Sequence, residues 1–498
     1  MNSYSVYRKK QEKRIVNWPM LLRVAGWLMM IEAVFMLIPT AVCLIYSEPD
    51  SVPFAVTAAI TAVIGFLLSR RLKPRQHSMG KREGFLLTAM VWVVFSIFGM
   101  LPFIFGTPGI GLSDAFFEAM SGFTTTGASV LSGDCPMSHG VHIWRATMQW
   151  LGGMGIILFT LAVIPMLNSS GGMLMFNAEV TGITHDKLRP RISQTAKTLW
   201  LIYIALTIML VGLLWAGPMN VFDSLCLAFG AISTGGYSSL PGGLGSYTPV
   251  YVKVVLSLFM FAGGMNFSLI YRTLRGNVGE LRRNDVFRTY VGLILAMYVL
   301  FTASILINGC YRGWESVTID PVFQIISVIT STGFTPVEFQ NWGPFVIALI
   351  FMMMLFGGCA GSTSGGAKID RLLFLLKNCR NEVYRCIYPR AVMSVRVNGR
   401  VVSNELLHKV IAFLCLYMLL IGAGGLVLAG MGVPVMDAFF SCFSCMSNTG
   451  LGADITGYGA SYNLLPDAAK WVLSLLMLTG RLEIFTVLVL FAPSFWHK

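Results

Sequence analysis

The chain has 498 residues, of which 55% are hydrophobic and only 12% charged, and its mean hydropathy is +0.70. Soluble domains carry about 25% charged residues. A soluble globular enzyme is therefore excluded, and most of the chain must be solvated by lipid. The net charge of +13 would suit a nucleic-acid partner, but its distribution along the chain has another origin.

The N-terminus, Met1 to Asn17, is polar and basic, with Arg8, Lys9, Lys10, Lys13 and Arg14. The apolar stretch from Trp18 to Tyr46 follows. It is too long for the core of a signal peptide and no small-residue cleavage site follows it, so it reads as a retained membrane helix. Ten apolar runs long enough to cross fall near 20–46, 52–69, 84–105, 146–167, 196–217, 250–271, 287–309, 343–366, 406–432 and 469–492. A crossing needs about 20 residues.

Charge orients them. Loops 70–82, 168–197, 272–288 and 368–409, with the two termini, hold 30 of the 36 Lys and Arg residues. The alternate loops hold Arg145, Lys253, Arg312 and Lys470. The positive-inside rule places both termini in the cytoplasm, and an even number of crossings agrees. The positive charge follows from this topology and requires no nucleic acid. The outer side is acidic, with Glu48, Asp50, Asp114, Glu118, Asp134, Asp223, Glu315, Asp320, Glu338, Asp437, Asp454 and Asp467. Such a mouth concentrates cations.

Four short segments between crossings repeat one pattern. They read DAFFEAMSGFTTTGAS from Asp114, DSLCLAFGAISTGGYS from Asp223, DPVFQIISVITSTGFT from Asp320 and DAFFSCFSCMSNTGLG from Asp437. Each starts at Asp and ends in a Thr-Gly pair: Thr126-Gly127, Thr234-Gly235, Thr332-Gly333 and Thr449-Gly450. The Asp-to-Gly spacing is 13, 12, 13 and 13, and Gly236 would restore 13 in the second. The architecture expected is an all-α polytopic membrane protein. Two N-terminal helices (1–75) precede four membrane–pore-loop–membrane repeats (76–195, 196–283, 284–400 and 401–498) around a pseudo-fourfold pore.

These segments suit a cation filter. About ten helical residues span about 15 Å, half the hydrocarbon core, so each segment is a half-helix. The leading Asp suits its N-terminus, as a cap and as a partner of the dipole. The negative C-terminal ends of four such helices, converging, favour a monovalent cation. The residues beyond cannot be helical if they line the path, and glycine allows the dihedrals that turn carbonyls inward. Rings of carbonyls replace an ion's hydration shell. The candidate ligands are Thr125, Thr126 and Gly127; Ser233, Thr234 and Gly235; Ser331, Thr332 and Gly333; and Asn448, Thr449 and Gly450.

Two polar features interrupt later crossings. The run FGGCAGSTSGGAK from Phe356 to Lys368 follows the third filter, whereas the trailing helices of the first two repeats carry only GGMG (152–155) and GGMN (263–266). Its candidate gating residues are Gly357, Gly358, Gly361, Ser362, Thr363, Ser364, Gly365 and Gly366. It fails as a phosphate loop, because Lys368 follows no Gly and precedes no Ser or Thr. The second is Arg481, with Glu483, in the last crossing. A charge at that depth is functional by default and should face the pore or pair with an acid. The Cys442/Cys445 pair and the His139/His142 pair lack the partners that metal or redox chemistry needs. No nucleophile–base set, Walker motif or Rossmann fingerprint supports an enzyme.

Over nearly its whole length the chain resembles the Trk/Ktr/HKT superfamily of cation transporters, whose four repeats resemble fused K⁺-channel subunits. The two extra N-terminal helices, TTTGAS and the closing GRLEIFTVLVLF make it most similar to the bacterial Trk membrane subunits. The resemblance implies low-affinity K⁺ uptake across a bacterial inner membrane, with K⁺ at the filter residues. Glycine at all four filters implies K⁺ preference over Na⁺. It further implies that the Gly/Ser run is an intramembrane gate and that Arg481 lies beneath the filter as an electrostatic barrier. It implies a homodimer and a cytoplasmic partner of TrkA type that carries NAD or ATP, this chain binding no cofactor beyond K⁺. A K⁺ symporter coupled to H⁺ or Na⁺ is the alternative. It would want ionisable residues within crossings, and away from the ends of the runs these are few: Glu32, Arg481 and Glu483.

Overall fold

The computed structural model describes residues 16–72, 80–107, 109–131, 137–153, 155, 192–240, 243–245, 248–310, 313–453, 456 and 461–496. The first two helices, Trp18–Ile45 and Ser51–Arg71, pack along each other at Gly26 and Gly65. A Cβ on either glycine would come closer than 3.0 Å to the other's carbonyl oxygen. Small residues are what allow helices in lipid to approach so closely.

Each repeat is a leading helix, a pore helix and a trailing helix. The leading helices are Lys81–Gly99 (continued by Leu101–Gly106), Ile192–Ala216, Asp285–Ile307 and Asn404–Gly430. They are apolar nearly all round, and Leu201, Ile208, Leu295, Val299, Leu419 and Leu426 stand exposed for lipid. Among the described residues six helices are long and apolar enough to cross a membrane, and two bent pairs also qualify. The fold is therefore the polytopic all-helical one expected.

The trailing helices depart from the sequence reading. The run 250–271 bends by 104° between Val250–Gly263 and Phe267–Leu274, and the run 469–492 by 117° between Asp467–Arg481 and Ile484–Phe491. The run 343–366 is helical only over Pro344–Phe356 and resumes as Ile369–Ile387. Interruption is thus shared by repeats two, three and four, and the third has the longest non-helical insert among the described residues of these runs. Hydropathy misses the two sharp bends because only two or three residues separate their helices, too few to change the average over a crossing. Asn266 restarts one helix by accepting the backbone N–H groups of Ser268 and Leu269. The first trailing helix runs over His139–Gly153. Its expected remainder (156–167), the basic residues of the N-terminal arm through Arg14, most of the 168–197 loop, Arg312, Asp134 and Asp454 lie outside the described residues.

The pore helices are Leu112–Phe123, Val221–Ile232, Trp314–Ile329 and Val435–Ser447. The expected aspartate cap is corrected here. Asp114, Asp223 and Asp437 are the third helical residue, and the caps are Gly111, Asn220 and Pro434. An acid in the first turn still meets the positive dipole end. The third helix starts well before Asp320, at Trp314, with Pro321 inside it. All residues from Ala115 to Phe123 are buried, so the pore helices form the centre of the bundle.

A two-residue hairpin, Arg396–Val397 with Arg400–Val401, turns at Asn398-Gly399 in the basic loop before the fourth repeat. Both turn residues have positive φ, as Asn-Gly turns require. The nine described cysteines are free, Cys442 and Cys445 among them.

Candidate functional site

Each pore helix passes into a short strand with the same two departures from ordinary backbone. Thr125, Thr234, Ser331 and Asn448 have φ of +53°, +55°, +52° and +54°. Two residues on, Gly127, Gly236, Gly333 and Gly450 have φ of +83°, +83°, +82° and +76°. Between them, Thr126, Gly235, Thr332 and Thr449 donate backbone N–H groups to the carbonyls of Ser121, Gly230, Ser327 and Ser444, at 2.9, 2.8, 2.8 and 2.9 Å.

Both patterns set one register, and it corrects the sequence assignment in the second repeat by one residue. The equivalent set there is Thr234, Gly235 and Gly236, not Ser233, Thr234 and Gly235. Ser233 is the helix C-cap, with φ of −72°. The Thr-Gly dipeptide misleads because this repeat carries glycine where the others carry threonine. The Asp-to-Gly spacing of 13 is the better guide, since helix length fixes where the strand begins. In the other three repeats the expected residues occupy the equivalent places.

The four strands close into a ring. A Cβ on Gly127 would come closer than 3.0 Å to the Gly235 carbonyl oxygen, and one on Gly236 to that of Thr332. Gly333 stands in the same relation to Thr449, and Gly450 to Thr126. Each glycine thus admits the carbonyl of the next repeat, and the fourth repeat meets the first. The threonine, serine and asparagine residues of the strands and Gly235 are buried, and Gly127, Gly236, Gly333 and Gly450 half-buried, with the negative ends of the pore helices directly behind them. This is an arrangement of dipoles that suits a desolvated cation.

The Gly/Ser run is folded against the underside of these strands. Gly365 donates its N–H to the Ser331 hydroxyl at 2.5 Å, and a Cβ on it would strike the Ser447 carbonyl. The Thr363 hydroxyl donates to the carbonyls of Ile232 and Gly263, at 3.0 and 3.2 Å. Cys359 N–H reaches the Gly264 carbonyl at 2.9 Å, and Asn266 Nδ2 the Ala360 carbonyl at 2.8 Å. Inside the run, Ser362 and Ser364 share a hydroxyl contact of 2.9 Å, and Ser364 accepts from Gly358 N–H. Gly357, Gly361 and Gly366 have positive φ, as does Lys368, whose ammonium donates to the Ser364 carbonyl. The segment therefore touches repeats two, three and four together.

Comparison with known proteins places this architecture. A family model described as TrkH, Cation transport protein, matches residues 52–319 and 315–498. The chain belongs to the TrkH family of cation transport proteins. The chain is 35% identical over 479 residues to the Trk system potassium uptake protein TrkH of Escherichia coli (strain K12), covering 96% of this chain and 99% of that protein. It is 33% identical over 487 residues to TrkI of Halomonas elongata, covering 97% and 98%. The crystal structure of the potassium transporter TrkH from Vibrio parahaemolyticus superposes with a TM-score of 0.87 at 31% identity, over 96% of this chain and 100% of that one. Membership of this family makes the chain a transport protein and not an enzyme.

Arg481 in this TrkH-family chain pairs with backbone. Its guanidinium donates to the Thr363 carbonyl at 2.8 Å and to the Gly152 carbonyl at 2.9 Å, and lies 6.0 Å from the Trp92 ring. It thereby ties the fourth repeat to the Gly/Ser run and to the first trailing helix. Glu483 turns instead to Arg371, at 2.6 Å, and Arg371 lies 3.9 Å over the Phe413 ring.

Sequence reasoning missed the partners of the cations in and beside the alternate, acidic loops. Lys253 pairs with Asp320 at 2.8 Å, both buried, and Lys470 pairs with Asp114. Each pair joins one repeat to the pore helix of the next. Arg145 holds Glu118 at 2.7 Å within the first repeat and lies 4.1 Å from the Tyr237 ring of the second. Their signal was in the charge count, because cations stranded on an acidic side within apolar runs need acidic partners. Gln149, which bonds the second strand, carries no such signal.

Proposed function

We propose that this chain mediates low-affinity K⁺ uptake across a bacterial inner (plasma) membrane through a gated, channel-like pore. The observation that carries the reading is the closed ring of carbonyls from Thr126, Gly235, Thr332 and Thr449, each seated against a glycine of the preceding repeat. Relatives bearing the name potassium uptake protein support the ion. In this reading the Gly/Ser run closes the path beneath the filter, and Arg481 holds it closed through the Thr363 carbonyl. Both termini face the cytoplasm. The chain works as a homodimer with a cytoplasmic TrkA-type subunit that binds NAD or ATP. A cavity of about 400 Å³, lined by Arg272, Arg283, Arg400 and Asp370 and reaching Cys359 and Ala360, supports coupling from the basic loops to the gate.

One observation favours H⁺-coupled symport as a second reading. Glu32, in the first helix, is fully buried, and neither carboxylate oxygen has a partner among the described residues. A carboxyl at membrane depth suits proton relay. Single-channel recording of reconstituted protein, in symmetric K⁺ with and without a H⁺ gradient, separates the two. Unitary K⁺ currents that ignore the gradient support the pore. Flux that runs only with the gradient, without unitary events, overturns it.

A further inference from the structure

The second filter strand differs from the other three in how its side chains brace it. In repeats one, three and four the ring threonine shares a hydroxyl contact with the residue two before it. These are Thr124 with Thr126 at 2.8 Å, Thr330 with Thr332 at 2.7 Å, and Ser447 with Thr449 at 2.8 Å. The second repeat has Ser233 and Gly235 at these places. Ser233 donates to the Phe229 carbonyl at 2.6 Å, as Thr124 and Thr330 do to Met120 and Ile326, but Gly235 offers it no hydroxyl.

The volume that a threonine side chain would take is occupied by Gln149, from the trailing helix of the first repeat. A Cβ on Gly235 would fall within 3.0 Å of Gln149 Cγ, Cδ and Oε1. Gln149 is fully buried. Its Nε2 donates to the Gly235 carbonyl at 2.7 Å, and its Oε1 accepts the Tyr237 N–H at 3.1 Å. A buried amide with both ends satisfied has one orientation, and these two bonds bracket Gly236. Among the described residues no other ring carbonyl receives a side-chain amide: Thr332 and Thr449 are braced from within their own strands, and Thr126 by Thr124 and, at its hydroxyl and not its carbonyl, by Asn448 Nδ2 at 3.0 Å.

We infer that Gln149 is a positioning residue of the filter, supplying to the second strand the bracing that threonine supplies to the other three. The inference rests on the carbonyl ring being the selectivity filter. It carries a second consequence. A carbonyl oxygen has two lone pairs, and Gln149 uses one at Gly235, so this oxygen offers the ion less than its three counterparts.

The test is the K⁺/Na⁺ permeability ratio, from reversal potentials of the full-length protein in liposomes, read beside its melting temperature. Gln149→Ala should lower the ratio about fivefold, the factor that one lost hydrogen bond carries. Gly235→Thr alone should cut flux, because its side chain meets Gln149. The double variant Gln149→Ala/Gly235→Thr frees that space and places a hydroxyl beside Ser233, so its ratio should return to within about twofold of the parent, a coupling that independent sites do not show. Gly333→Ser serves as the control in the third strand. If Gly333→Ser leaves the ratio unchanged, the filter reading itself falls. If Gly333→Ser shifts it while Gln149→Ala keeps the parent ratio, the inference about Gln149 alone is overturned. A double variant that recovers the melting temperature but not the ratio makes Gln149 a space-filler, and one that fails to fold removes the equivalence with threonine; either overturns the inference.

Discussion

Arg481→Gln tests the gate most directly. Among the described residues the guanidinium makes charge-assisted hydrogen bonds to the Thr363 carbonyl in the Gly/Ser run and to the Gly152 carbonyl in the first trailing helix. A hydrogen bond to a charged group contributes about 1.5–3 kcal/mol net. Glutamine is shorter and can keep one of the two, so the variant loses about 2 kcal/mol of hold on the closed arrangement. At 1.4 kcal/mol per factor of ten, the open fraction rises about thirtyfold. Loss of the positive charge beneath the filter acts in the same direction, since a guanidinium stays protonated at any working pH and opposes the field of the pore-helix ends. The measurement is K⁺ flux into liposomes lacking any cytoplasmic partner, read beside thermal unfolding. A large rise in flux at unchanged melting temperature is expected. Unchanged flux with a lowered melting temperature would refute the reasoning, because Arg481 would then hold the wall together without restraining the run.

Other substitutions probe other parts. Gly127→Ser should admit Na⁺, because its Cβ meets the Gly235 carbonyl and must displace a ring oxygen; reversal potentials in mixed K⁺ and Na⁺ read this, and an unchanged ratio removes Gly127 from the filter. Deleting Ala360 to Thr363 takes out the contacts to Asn266, Gly263 and Ile232, and should raise partner-independent flux at least tenfold (about 1.4 kcal/mol); a folded deletion that conducts like the parent argues against a gate. Lys253→Met leaves Asp320 buried without its cation and should destabilise by about 3–5 kcal/mol, while Lys253→Met/Asp320→Leu recovers most of it in detergent melts. Burial pushes the Glu48 carboxyl up, but the backbone N–H groups of His139 and Gly140 and the His139 ring outweigh it and hold the group below the ordinary glutamate range. Its stabilising contribution is therefore complete above about pH 4.3 and is lost as the pH falls through the lowered value, so melting curves of Glu48→Gln should show a shallower acid limb than the parent.

The bundle was legible because lipid demands long apolar runs, and a run of that length needs no knowledge of contacts to be recognised. The four ring strands were legible through repetition, four copies of Asp, half-helix and Thr-Gly making a pattern that one copy would not. The second strand was read one residue early because the eye follows the side chains of Thr234-Gly235, whereas the fold aligns backbone, and Gly235 stands where the others have threonine. The breaks at Gly264–Asn266 and Leu482–Glu483 were hidden for a different reason. A window of apolar residues reports solvent, not direction, and one positive-φ residue such as Glu483 turns a helix without changing its hydropathy. The partners of Lys253, Lys470 and Gln149 lie far along the chain, and single-sequence patterns carry no information at that separation.

The ring also constrains the order in which the molecule can be made. Its last joint is between repeats four and one: Gly450 against the Thr126 carbonyl, Asn448 Nδ2 donating to Thr126 Oγ1 at 3.0 Å, and Lys470 with Asp114. These partners are separated by 322 residues for the Asn448 bond and 356 for the lysine. During synthesis the first three repeats enter the membrane with the Thr126 carbonyl and Asp114 still without these partners. Only when the C-terminal repeat emerges do they gain them, and the entropy of closing so long a loop falls on that final step. A chain truncated anywhere before the fourth strand would leave the ring an open arc, with the Thr126 carbonyl and Asp114 lacking the partners that close it.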